Sequence, residues 1–231
     1  MDADLLTSEA VAVPAYLAKT YWWAYVHPRA VKVFERQWLV NLILWGNFGR
    51  LRDAALAAMG ERLDGRTLQV ACVYGDLTPR LAARVAPGGA LDVVDVLPVQ
   101  LDNLARKLPA GAPVNLMHGD STRLPAPDAS YDRVLVFFLL HEQPEEVRAA
   151  TLAEALRVLK PGGKLVLVDY HRPRALHPLR AFMHALLARL EPYALDLWRR
   201  EITAWMPPAA VVRGGKRLFY GGLYQMLEVT R

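Results

Sequence analysis

The chain reads as an α/β protein built on a doubly wound parallel sheet, and three observations predict this. From Arg66 onward, short apolar runs alternate with segments of helical period, the β-α-β-α rhythm of a parallel sheet covered on both faces. The runs are nearly continuous in their apolar character, as in L-Q-V-A-C-V-Y over 68–74, which marks strands buried on both sides. Pro-Gly-Gly at 87–89 and again at 161–163 breaks the pattern between elements.

Residues from about 8 to 60 read as helical and aromatic, carrying Tyr16, Tyr21, Trp22, Trp23, Tyr25, Phe34, Trp38, Trp45 and Phe48. This gives an N-terminal helical cap over 1–62. Two readings of the cap stay open: a helical layer packed on the core, or a lid and interfacial surface where tryptophan prefers to sit. The apolar run Val33–Phe48 is interrupted by Glu35, Arg36, Gln37 and Asn41, and it falls short of the about 20 apolar residues that span a bilayer.

Over 63–231 the elements follow in order. Leu68–Tyr74 is the first strand, and a helix over Thr78–Val85 follows it. Ala90–Val96 is the second strand, and the helix Pro98–Leu108 sets Leu101, Leu104 and Leu108 on one face. Val114–Met117 and Asp132–Phe138 are the third and fourth strands. Pro144 opens a helix, with Glu145 and Glu146 in its first turn where acids are favoured. Lys164–Tyr170 is the fifth strand, and a helical lid over about 175–208 carries Trp198 and Trp205. Lys216–Tyr220 and Leu223–Thr230 end the chain as two strands, joined by Gly221-Gly222 as a tight hairpin turn.

Composition narrows the function classes. At 231 residues the chain holds one α/β domain with an extension and buries a full core. Its 53% apolar and 22% charged residues exclude a disordered chain. The single cysteine, Cys72, excludes a disulfide framework and a cysteine-rich zinc site, and it fits a reducing cytoplasm. The start M-D-A-D-L-L lacks the basic and apolar regions of a secretory signal. The net charge of +5 is spread without a run of like charges, which argues against nucleic acid and agrees with a mild attraction to an anionic membrane surface.

Ligands of such sheets bind at the carboxyl ends of the strands, so the residues there are the candidates. After the first strand come Tyr74, Gly75, Asp76 and Thr78; Gly75 permits close backbone approach to a ligand or makes an ordinary turn. Asp95 ends the second strand and either accepts two ribose hydroxyls or caps a helix. Asp120 and Ser121 follow the third strand, and Asp120 either takes an adenine amine or forms a Gly-Asp turn. Val136, Phe137 and Phe138 line the cleft at the fourth strand, with His141 and Glu142 beyond them. Asp169, Tyr170 and His171 end the fifth. His141 is a general base, a metal ligand or a hydrogen-bonded surface histidine, and the two His/acid pairs suit a divalent ion.

The order and spacing of Gly75, Asp95, Gly119-Asp120, L-L-H at 139–141 and V-L-K-P-G-G-K-L-V-L-V-D at 158–169 resemble the class I S-adenosylmethionine-dependent methyltransferase fold, a Rossmann-like sheet, and especially the quinone C-methyltransferases. The resemblance implies strand order 3-2-1-4-5-7-6 with strand 7 antiparallel. It also implies ribose binding at Asp95 and adenine binding at Asp120, with Val96, Leu97 and Gln100 beside them. That family's first motif is acid-x-Gly-x-Gly-x-Gly. Here Gln69 holds the acid position, Ala71 and Val73 hold the first two glycine positions, and Gly75 alone remains.

The aromatic segment from Tyr21 to Phe48, with V-Y-G-D-L-T-P at 73–79, is similar to the rhodoquinone-biosynthesis methyltransferase-like family. That resemblance spans nearly the whole chain. It implies conversion of ubiquinone to rhodoquinone, a ring methoxy group being replaced by an amino group from S-adenosylmethionine, with Mn2+ required. The altered box then has a meaning: Gln69 removes a negative charge near the cofactor's amine and so favours its neutral, nucleophilic form, while Val73 displaces the methionine end. Tyr74, His141, Asp169 and His171 are the expected groups for proton transfer, and His141 and Glu142 for the metal. The isoprenoid substrate implies a cytoplasmic protein peripherally associated with inner-membrane lipid, with no obligate protein partner. The alternatives are a conventional quinone C-methyltransferase and a non-catalytic relative that has lost its cofactor.

Overall fold

The computed structural model describes residues 13–20, 31, 33–208 and 214–231. Tyr21, Trp22, Trp23 and Tyr25 of the expected aromatic cap lie outside the described residues. Ahead of the sheet come α1 (Ala15–Thr20), α2 (Gln37–Ile43) and α3 (Phe48–Met59). The alternating part then runs β1 (Arg66–Val70), α4 (Leu77–Ala82), β2 (Ala90–Asp95), α5 (Pro98–Ala105), β3 (Val114–His118) and β4 (Tyr131–Phe137). It continues with α6 (Glu145–Val158), β5 (Leu159–Tyr170), α7 (Arg180–Leu190), α8 (Asp196–Arg199), β6 (Lys216–Phe219) and β7 (Tyr224–Thr230).

The seven strands form one sheet in the order β3-β2-β1-β4-β5-β7-β6. Strands β1 to β5 pair in parallel, and β7 runs antiparallel to both β5 and β6. This is the class I methyltransferase arrangement that the sequence resemblance implies. Register sets the site: Val70 lies beside Val94 and Val136, Asp95 beside His118, and Phe137 beside Val168. The carboxyl ends of β1, β2, β3, β4 and β5 therefore stop at one level, and the residues after them converge.

Leu68, Val93, Val134, Leu135, Leu165, Val166 and Leu167 are buried in the strands, and α3 adds Phe48, Leu51, Ala55, Leu56 and Met59 to the same core. Burying each such side chain stabilises the fold by roughly 1.5–3 kcal/mol. Trp198 and Trp205 are buried as well. Trp205 lies under the guanidinium of Arg148 at 4.5 Å, so these two tryptophans of the lid belong to the core.

Several boundaries shift for local reasons. Pro144 stands one residue before α6, in an extended conformation with ψ 158°, since its ring fixes φ but leaves ψ outside the helix. The fifth strand begins at Leu159, and its pairing with β4 shifts register between Tyr131 and Arg133 to pass Pro161-Gly162-Gly163. The helix expected to reach Val85 ends at Ala82, and the one expected to reach Leu108 ends at Ala105. The terminal hairpin turns through a short 3-10 segment, Tyr220–Gly222, rather than through two glycines alone.

Candidate functional site

The converging strand ends enclose a cavity of about 520 Å³. Of the expected cofactor residues, Val73, Tyr74, Asp95, Val96, Leu97, Gln100, Asp120, Ser121, Phe137 and Phe138 line it. Gln69, Gly75, Asp76, Thr78 and Val136 do not line it, and each has another place. The Gln69 side chain is buried; its Nε2 donates to the Ala71 carbonyl at 2.9 Å and its Oε1 accepts from the Thr78 hydroxyl at 3.0 Å. Val136 is buried in the sheet. Asp76 accepts from Arg52 at 2.7 Å and from Arg80 at 2.5 Å. Burial pushes its carboxyl up, but the two guanidinium groups hold it below the usual range.

The turn after β1 enters the left-handed region at Ala71 and again at Gly75. Ala71 has φ 70°, the left-handed region that a side chain enters at a cost of about 1–2 kcal/mol. Gly75 has φ 82°, and a Cβ there would stand 2.8 Å from the Phe48 ring, so only glycine fits. Two residues outside the expected set fasten this turn. Lys107 Nζ donates to the carbonyls of Val73 at 3.1 Å and Gly75 at 3.0 Å. Glu35 Oε1 accepts from the Gly75 N–H at 3.1 Å and from Lys107 at 2.9 Å, and its Oε2 accepts from Asn103 at 2.6 Å.

At the end of β2, Asp95 accepts from the Cys72 N–H at 2.7 Å and from the Leu97 N–H at 2.8 Å. These two amides fix the carboxylate where it lines the cavity, and burial raises its pKa to about 6. At Gly119 a Cβ would stand 2.8 Å from Val94 Cγ2 and 3.2 Å from Pro125, which lets the chain after β3 lie close against β2. Asp120 Oδ1 accepts from the Thr122 N–H at 2.8 Å, and Ser121 Oγ lies 2.8 Å from Thr151 Oγ1. Tyr74 accepts from Gln100 Nε2 at 2.8 Å, and its ring stacks on Phe34 with centroids 6.1 Å apart. Tyr16 of α1 also faces this space. Burial, then the charges of Glu142 and Asp120, push its phenol well up, so it is a hydrogen-bond donor at neutral pH.

On the opposite wall stands a buried dyad. His141 Nδ1 lies 2.9 Å from Asp169 Oδ1, while Asp169 also accepts from the backbone N–H of Leu140 at 2.9 Å and of Tyr170 at 2.7 Å. Glu142 Oε1 is 3.7 Å from His141 Nε2. Burial opposes protonation of the imidazole, but Asp169, with Glu191 and Glu142, raises its pKa to about 9. His141 is therefore an imidazolium at neutral pH, fixed by Asp169 through Nδ1. Phe138, which has φ 53°, and Tyr170 pack edge-on against its ring at 5.9 and 4.9 Å.

The two His/acid pairs do not join as one ligand set: His141 and Glu142 both line the main cavity, with Glu142 Oε1 3.7 Å from His141 Nε2, but the second pair adds no ligand to them. Asp169 is spent on His141 and the backbone, and His171 lies in a different cavity, with Nδ1 2.9 Å from the Gly222 carbonyl. Among the described residues no group of three or more His, Cys, Asp or Glu could hold a metal ion. The outer wall of the main cavity is apolar. Leu42, Ile43 and Trp45 from α2 and the turn after it meet Phe182, Met183, Leu187 and Leu190 of α7, and Phe182 is 52% exposed at the rim. A polar inner end and a greasy mouth suit a nucleoside-bearing cofactor beside an apolar substrate.

Residues 67–163 match the family model of a methyltransferase domain. Over 155 residues the chain is 34% identical to a demethylmenaquinone methyltransferase of Staphylococcus aureus, covering 67% of this chain and 62% of that protein. The chain thus spans about three fifths of the length of this relative. Among solved structures, a SAM-dependent methyltransferase from Aquifex aeolicus superposes with TM-score 0.56 at 19% identity, covering 88% of this chain and 97% of that one. Human N-acetylserotonin methyltransferase, solved with SAM, gives TM-score 0.63 at 14% identity over 95% and 60%. These likenesses establish the class I methyltransferase fold.

Proposed function

We propose that this chain uses S-adenosylmethionine to replace a ring methoxy group of ubiquinone by an amino group, giving rhodoquinone. The observation that carries the reading is the divided state of the cofactor pocket. Asp95 and Asp120 line the cavity, while the turn after β1 carries Ala71 and Val73 at glycine positions and an uncharged Gln69 whose amide is bonded to Ala71 and Thr78. When bound, the cofactor would supply the α-amino group: its nitrogen would bond to the ring carbon as methoxide leaves as methanol, and its Cα–N bond would then break with loss of a Cβ proton to the nitrogen, leaving the ring amine and an unsaturated sulfonium acid.

The chain's own groups then have clear tasks. Asp95 accepts the ribose hydroxyls, and Asp120 accepts the adenine amine. Gln69 brings no negative charge to stabilise an ammonium, so the amine keeps its lone pair. His141 Nε2, protonated at neutral pH, donates to a quinone carbonyl and draws electron density from the ring carbon under attack. Asp169 holds that imidazole in place. The described donors do not fit a manganese ion.

The apolar mouth suits an isoprenoid tail, and such a substrate resides in the bilayer, so the reading includes peripheral contact with inner-membrane lipid. No described helix is long and apolar enough to cross a membrane. Similarity to a demethylmenaquinone methyltransferase favours a second reading, conventional methyl transfer to a quinone ring.

Cofactor labelled with heavy nitrogen at the α-amine, and separately with a heavy methyl group, decides between them. Nitrogen label in the quinone product supports amino transfer, and methyl label supports methylation. Absence of cofactor binding by calorimetry leaves neither.

A further inference from the structure

The structure assigns a second site, a phosphate-binding docking surface for anionic phospholipid, to the loop between β5 and α7. This deepens the quinone reading above and rests on it for its purpose. The loop reads H-R-P-R-A-L-H-P-L-R over 171–180. Arg172, Arg174 and Arg180 line a cavity of about 440 Å³ together with Arg199, Arg200 and Trp198. Arg199 pairs with Asp196 and Arg200 with Glu145, and Glu201 on the same wall is paired with Lys216 and lies 3.8 Å from His171. Arg172, Arg174 and Arg180 make no ion pair among the described residues. Three positive charges thus face one open cavity with the nearby acids already neutralised.

Between these arginines Leu176 is 97% exposed. An isolated exposed leucine is unremarkable, but this one is held out by a loop fastened at several points. The His171 N–H donates to the Leu223 carbonyl at 2.8 Å, the Arg174 N–H to the Gly221 carbonyl at 2.9 Å and the Leu179 N–H to His177 Nδ1 at 3.2 Å. The His177 ring packs edge-on against Tyr220 at 5.1 Å. An apolar tip on a braced loop, flanked along the chain by Arg172, Arg174 and Arg180, matches a bilayer surface in both respects: apolar depth for the leucine and phosphate for the guanidinium groups. Helix α7 connects this loop to the apolar mouth, since Arg180 begins it and Phe182 and Leu190 face the main cavity. Docking through the loop therefore sets the mouth near the lipid that carries a quinone.

The test is co-sedimentation of the full chain with vesicles of phosphatidylcholine alone or with phosphatidylglycerol added, beside calorimetry with inorganic phosphate. The wild-type protein binds the anionic vesicles and releases as salt rises. A variant with Arg172→Gln, Arg174→Gln and Arg180→Gln binds them roughly 100-fold more weakly, each charge being worth about fivefold, and Leu176→Ser binds roughly tenfold more weakly. Both variants keep wild-type turnover on a short-tailed, water-soluble quinone. Equal binding of both vesicle types, or wild-type binding by the triple variant, overturns the proposal. Tight inorganic phosphate binding without vesicle binding overturns it in favour of a soluble phosphate ligand. Vesicle binding that persists while the short-tailed quinone is not converted sinks the reading of function and leaves the docking surface standing.

Discussion

Asp169 Oδ1 lies 2.9 Å from His141 Nδ1, and this one contact governs both the charge of the site and part of its stability. The imidazole's pKa is raised from 6.5 to about 9. A raised folded-state pKa favours folding fully below the unfolded value, and the gain is lost as pH rises through the folded one. Stability should therefore fall between pH 6.5 and about 9, by at most about 3 kcal/mol. Thermal melts across pH 6–10 check this. His141→Gln should flatten the profile in that window, and an unchanged slope would show that other groups set it. Turnover should decline only as pH rises through about 9, where folded His141 loses the proton that would polarise a quinone carbonyl.

Lys107 and Glu35 meet 72 residues apart in the chain and clamp the turn at Gly75. Lys107→Met strips two carbonyls and a carboxylate of their donor and should cost on the order of 2 kcal/mol of stability. Glu35→Gln alone should cost less, because Gln still accepts from the Gly75 N–H. A double-mutant cycle read by denaturant unfolding should give a coupling of about 0.5–3 kcal/mol. Strict additivity would mean that the clamp does not act as a unit.

The same pair marks the limit of what the sequence discloses. The strands and the positions of Asp95, Gly119, Asp120 and Phe138 at or just beyond their ends follow from periodicity and spacing, because local pattern sets them, whereas the strand order β3-β2-β1-β4-β5-β7-β6 is non-local and is implied only by the family resemblance. Lys107 sits where its helix pattern continues and Glu35 in an apolar run; no local signal joins them, since their pairing exists only once the segment before α2 lies beside the end of α5. The inward turn of Gln69 toward Thr78 is likewise invisible, because a residue type does not report where its amide points. His171 misled for the opposite reason: it follows Tyr170 directly, yet the chain leaving β5 carries it to the far side, against Gly222.

Asp95 should make cofactor affinity depend on pH. Its carboxyl titrates near about 6 because burial disfavours the charge. Below that pH the protonated form presents one acceptor fewer to the ribose, so binding of S-adenosylhomocysteine should weaken as pH falls from 7 to 5. Without ligand the same shift acts the other way on folding: its contribution is complete below 3.8 and is lost as pH rises through about 6. Asp95→Asn should weaken binding roughly tenfold or more and abolish the pH dependence. Calorimetry from pH 5 to 8 measures both, and a retained dependence in the variant would move the titration to another group.

The glycine-box positions separate stability from chemistry. Ala71 holds φ 70°, so Ala71→Gly relieves about 1–2 kcal/mol of backbone strain and gives back about 0.4–1 kcal/mol in the entropy of the unfolded chain. The net effect should raise the melting temperature by about 2–3 °C. Gln69→Glu combined with Val73→Gly restores an acid and an open path beneath the methionine end. The acid loses the Nε2 donor to the Ala71 carbonyl, so the variant should be less stable by about 1–3 kcal/mol, and assays belong at low temperature. There the amine is held as an ammonium, and nitrogen transfer to the quinone should fall at least tenfold while binding of the nucleoside end is kept. Unchanged amination in a folded variant would mean that Gln69 and Val73 do not select the reaction, and that the difference from a methyl-transferring box lies in the dyad of His141 and Asp169.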